Sequence, residues 1–119
     1  MDRDRFRRLV RRAMLALPPE FIAQMDNVQV IVRREPSAAD LASGEIGPDG
    51  DLFGLYTGIP LTERQSYGNT LPDRILIFQG PHERAFAAWE MAAEVQRTVH
   101  HEVAHHFGIT DERLDALGR

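Results

Sequence analysis

The chain has 119 residues, is 43% hydrophobic, carries 14 basic against 18 acidic side chains for a formal net charge of −4, and contains no cysteine. Disulfides, thiol nucleophiles and thiolate metal sites are therefore excluded, which leaves His, Asp and Glu as the strong metal ligands. The length suits one compact domain over residues 1–119, and the acidic total argues against a general nucleic-acid footprint.

The N-terminal stretch "MDRDRFRRLVRRAMLALPPE" is charged from its second residue and holds no long apolar run. It reads as neither a signal peptide nor a membrane span, and the expected location is the cytoplasm, with no membrane partner. Phe6, Leu9, Val10, Ala13, Met14 and Leu17 follow alternating spacings of three and one, which predicts an amphipathic helix over Asp2 to Leu17. Six arginines between Arg3 and Arg12 form its wet face, and every basic side chain in the chain is Arg. A basic helix can also lie on an acidic partner or a membrane surface; a solvated outer face is the simpler reading.

Pro18 and Pro19 stop that helix, and Glu20 to Met25 can make one further turn. "NVQVIVRRE" then brings Val28, Val30, Ile31 and Val32, a first strand. Residues Pro36 to Gly50 read as a connecting loop with a helical turn at Ser37 to Leu41. A second strand is expected over Asp51 to Thr57, interrupted by Gly54. "TERQSYGNTLPD" is polar and turn-prone, and the apolar run Arg74 to Gln79, bounded by Pro72 and Gly80-Pro81, predicts a third strand.

Between His82 and Phe107 no Gly or Pro occurs, so a long helix is expected there, or two helices near Ala85–Ala93 and Glu94–Phe107. Gly108 supplies a left-handed stop, and Thr110 can cap a short last helix ending at Gly118. The expected fold is α+β: a small mixed sheet of three to four strands packed against the long helix and the N-terminal amphipathic helix.

The long helix carries "HHEVAHHFGITD", with four of the five histidines of the chain. His101, Glu102 and His105 make an HExxH match. Residues four apart share a helix face with Cβ atoms about 6 Å apart, so two imidazoles can converge on one Zn²⁺. Glu102 lies about 100° around the helix, beside the metal, where it can accept a proton from water activated there. Gly108 ends the helix and turns the chain back, so that Asp111 can offer a carboxylate as third ligand. At the composition seen here HExxH alone arises by chance in roughly one such chain in sixty, and HExxHxxGxxD in about one in ten thousand. The extended pattern therefore carries the weight. Glu112 is the rival third ligand, and Asp115 a weaker one. His100 and His106 point elsewhere on the helix and read as structural, while His82 reads as a solvated residue of the first helical turn.

The segments "HEVAHHFGITDERL", "LFGLYTGIPL" and "LPDRILIF" resemble the minimal zincin-like metallopeptidase family, small bacterial HExxHxxGxxD proteins. The resemblance covers most of residues 51–115. It implies a zincin-like fold, zinc held by His101 and His105 with Asp111 as third ligand, and Glu102 as catalytic base. Two features depart from the related metzincin pattern: Asp111 stands where a third histidine is usual, and no methionine follows Met91. A thermolysin-like third ligand from a later helix is disfavoured because only 14 residues (119 − 105) follow His105.

The expected activity is hydrolysis of a peptide or protein substrate through a zinc-activated water, with the strand Arg74–Gln79 as the edge on which an extended peptide pairs. The alternative is a zinc-stabilised binding or regulatory module with little or no turnover, and the least favoured reading is a nucleic-acid or membrane binder using the arginine-rich helix.

Overall fold

A computed structural model describes residues 1–47, 50–58 and 73–109. In chain order they form α1 (Arg3–Leu15), α2 (Pro19–Ala23), β1 (Val28–Arg33), α3 (Ala38–Ser43), β2 (Gly54–Thr57), β3 (Asp73–Phe78), α4 (Gln79–Ala85) and, after a 3₁₀ turn at Ala88–Glu90, α5 (Met91–His106). The last helix anticipated from the sequence, after Thr110, lies outside the described residues. Among these residues no helix is long and apolar enough to cross a membrane.

Asp2 caps α1 by accepting from Arg5 N at 2.7 Å, satisfying one of the backbone donors that a helix leaves open at its start. Ser37 and Asp40 form a reciprocal capping box on α3, with Asp40 N to Ser37 Oγ at 3.0 Å and Ser37 N to Asp40 Oδ2 at 2.9 Å. That local chemistry turns the anticipated single turn into a six-residue helix.

The sheet is mixed, in the order β1-β3-β2. β3 pairs parallel with β1 from Val28↔Asp73 to Arg33↔Phe78, and antiparallel with β2 from Gly54↔Ile77 to Thr57↔Arg74. The run anticipated as an edge is thus the central strand. Its sequence gives the reason: Ile75 and Ile77 bury themselves on one face and Leu76 and Phe78 on the other, so both faces are covered. The strand begins one residue earlier than expected, at Asp73, and Gln79 belongs to α4.

The main core lies on the Ile75/Ile77 face. Phe6, Val10, Ala13 and Leu17 of the N-terminal segment interlock there with Met91, Val95, Val99 and Val103 of α5. The four-residue spacing on α5 makes one continuous apolar row, which α1 covers. His100 adds a polar tie: its Nε2–H donates to the Ala13 carbonyl at 2.9 Å.

The anticipated long helix is broken, but earlier than the division expected between Ala93 and Glu94. α4 starts at Gln79, with Gly80 and Pro81 in its first turn, where a missing N–H costs nothing. Phe86 and Ala87 are extended, and Glu90 Oε1 accepts from Ala87 N at 2.8 Å to cap the 3₁₀ turn that leads into α5. Gly80 lies tight against the chain leaving β1, its N–H donating to Arg34 O at 2.8 Å while a Cβ would collide with the Glu35 carboxylate. Arg84 straps this corner, donating to Glu35 at 2.8 Å and to Asp51 at 2.7 Å. Its hydrogen bonds hold both carboxyls below their ordinary range.

Phe6 is fully buried in the α1–α5 seam, so Phe6→Ala is expected to destabilise the fold by about 3–5 kcal/mol, read as a lowered urea midpoint at an unchanged slope.

Candidate metal centre

The C-terminal half of α5 presents His101, Glu102 and His105, each with one ligand-capable atom, all within 4.8 Å of one another. The two imidazole rings sit edge to face with centroids 4.8 Å apart. Glu102 Oε1 lies 3.2 Å from His105 Nδ1. Both histidines are half-buried and open to solvent on one side, while Glu102 is 6% exposed.

Tetrahedral zinc with ligands at about 2.0–2.1 Å brings neighbouring ligand atoms to about 3.4 Å, a contraction that side-chain rotation supplies. The His101 and His105 nitrogens, one helical turn apart and partly open to solvent in a chain without thiolates, are donors suited to zinc, so the residues fit the ion. Asp111, Glu112 and Asp115, the competing third ligands, lie outside the described residues.

The helix ends as the sequence anticipated. Gly108 has φ +78°, its N–H donates to His105 O at 2.9 Å, and Ile109 N–H donates to Ala104 O at 2.9 Å. These two bonds make a Schellman turn, which directs the chain away from the helix axis immediately after the second histidine.

Two buried polar ties that sequence reasoning missed hold this helix in place. His82, anticipated as solvated, is 0% exposed. Its Nδ1–H donates to Phe78 O at 2.6 Å, and its Nε2 lies 2.8 Å from Thr98 Oγ1 on α5. The second tie is at the other end, where His106, also 0% exposed, donates from Nδ1 to Asp73 Oδ2 at 2.7 Å. Tyr56 O–H donates to the same oxygen at 2.9 Å, and its ring stands edge-on to His106. Tyr56 therefore supports the helix end. The only sequence signal for these ties was the excess of histidines over the two that HExxH uses.

Gly54 is the other missed residue. A Cβ there would meet Thr98 Cγ2 at 2.8 Å, Glu102 Cγ at 3.0 Å and Leu76 O at 3.3 Å. The absent side chain is what lets β2 lie directly against the Glu102 turn of α5, and β2 begins at this residue, three later than anticipated.

Fold and site together define an α+β protein in which a sheet-backed helix carries a His-Glu-His group able to hold a metal ion. The sequence profile of the family described as zincin-like metallopeptidase matches residues 25–119, and the chain belongs to that family. Among solved structures it is similar to a conserved hypothetical protein from T. thermophilus, with a TM-score of 0.61 and 22% identity over 98% of this chain and 97% of that one. That likeness establishes the shared fold. No curated protein gives a significant match.

Burial holds the His82 imidazole below its ordinary pKa of 6.5, so the unfolded chain takes up a proton there more readily than the folded one. Stability should be fully present above about pH 6.5 and fall as pH drops through the folded-state value. Urea midpoints measured between about pH 5.5 and 7.5 should show this slope, and His82→Gln should flatten it. Separately, Asp73→Ala removes the acceptor of a buried N–H and should cost about 1–3 kcal/mol in the same assay.

Proposed function

We propose that this protein is a zinc-dependent peptidase whose catalytic centre is the His101–Glu102–His105 cluster. The convergence of these three side chains in a chain of the zincin-like metallopeptidase family carries the reading. His101 and His105 would hold the ion, with Asp111 completing the set. When bound, zinc supplies a Lewis acid that polarises the scissile carbonyl and acidifies a water molecule.

The remaining chemistry falls to the chain. Glu102, held at the helix surface by the Gly54 contact, takes the proton of the attacking water and returns it to the leaving amine. Its carboxylate faces the cluster, within hydrogen-bond distance of His105, which supports that role. Substrate alignment belongs to β2: among the described residues β3 is its sole strand partner, and its first residue touches the Glu102 turn. An extended peptide pairing along the outer edge of β2 would lie beside Glu102, a role that the central β3 cannot perform.

Protein purified without chelator is expected to carry about one zinc per chain by elemental analysis, and His101→Ala/His105→Ala almost none. Glu102→Gln should retain the metal yet lose at least about 10²-fold of its hydrolysis of a mixed peptide library. Loss of metal in that variant would make Glu102 a ligand, and unchanged cleavage would remove it from the mechanism. A wild-type protein that unfolds with chelator and cleaves nothing would instead identify the zinc-stabilised module.

A further inference from the structure

At the far end of α5 from the metal cluster, α1 and the start of α5 enclose a groove of about 390 Å³. Arg5, Arg8 and Arg12 line one side of it, and Leu9, Ala88 and Met91 contribute an apolar surface. The arginines are spaced three and four apart, so they project from one face of α1 as a single row. Trp89, 86% exposed, follows Ala88 on the 3₁₀ turn.

The acidic groups around the groove are engaged elsewhere. Asp2 caps α1, Asp4 lies 4.0 Å from Arg7, Glu90 caps the 3₁₀ turn, and Glu83 pairs with the Met1 amine and Arg34. Among the described residues Arg5, Arg8 and Arg12 form no ion pair. Like charges at these spacings repel within the helix. α1 also precedes residues 25–119, the span over which the family profile matches.

We infer that this groove is a docking site for an acidic peptide segment, with Asp or Glu carboxylates on Arg5, Arg8 and Arg12 and an apolar side chain on Leu9. Guanidinium forks bind carboxylates through paired hydrogen bonds. A solvated charged face explains the arginines alone. It does not explain why three of them gather along one concavity that also takes in Leu9. The concavity favours an extended peptide over a flat lipid surface, and the acidic total of the chain disfavours a nucleic-acid backbone. The site is separate from the metal cluster and stands whether or not the chain hydrolyses peptides.

Trp89 is the sole tryptophan and is exposed next in sequence to Ala88 of the groove, so its emission is a probe adjacent to the site. Titration with a synthetic peptide of Glu-Glu-Leu repeats is expected to shift and saturate that emission, more tightly at low than at high NaCl. The Gln-Gln-Leu counterpart should bind at least about tenfold more weakly, as should the Glu-Glu-Leu peptide to an Arg5→Gln/Arg8→Gln/Arg12→Gln variant of unchanged circular dichroism and zinc content. The single variant Arg8→Glu, a milder change to the helix, should weaken it in the same direction. Equal affinity for the two peptides, undiminished binding by the variants, or tighter binding to single-stranded DNA or phosphatidylglycerol vesicles than to the acidic peptide would overturn the proposal.

Discussion

The hydrogen bond between His106 and Asp73, 2.7 Å long and closed to solvent on both sides, joins the last turn of α5 to the first residue of the central strand. In that setting the contact has no competing water, and each partner would be left with a costly buried polar group if the other moved. Tyr56 brings β2 into the same junction. Among the described residues, α5, β2 and β3 are therefore tied together at one buried point, one residue beyond His105.

The rest of α5 is fixed by complementary means. Its apolar row from Met91 to Val103 packs into the core, which sets the depth and rotation of the helix. Directional bonds add to this: His82 reaches Thr98, and His100 reaches the end of α1. The fold thus uses three of its five histidines to locate a helix whose other two, with Glu102, can take a metal ion. A ligand pair separated by one helical turn needs little further organisation, because the helix itself sets the spacing. What the surroundings must supply is a fixed approach of Glu102 and of the neighbouring strand, and Gly54 provides it by omission of a side chain.

The same helix serves two chemically distinct ends. Its C-terminal half holds the nitrogen and oxygen donors, whereas its first turn, against α1, closes a groove bordered by arginines that form no ion pair among the described residues. Because α1 and α5 share one core, the two regions are parts of a single packed unit although no residue belongs to both.

Local pattern was enough to determine the amphipathic α1, the strands around Val28–Val32 and Ile75–Phe78, the HExxH pair on one helix face, and the glycine that ends that helix in a left-handed turn. Each of these depends on residues within a few positions of one another, where spacing and backbone preference act directly. The sequence did not reveal that β3 is central, that the helix breaks at Phe86 and Ala87, or that His82 is buried. Those outcomes depend on partners far along the chain, as with His106 and Asp73, 33 residues apart, or Tyr56 and Asp73, 17 apart. A histidine has the same local signature whether it faces solvent, a carboxylate or a metal ion. Which of these it meets is decided only when packing brings distant segments together and removes the water between them.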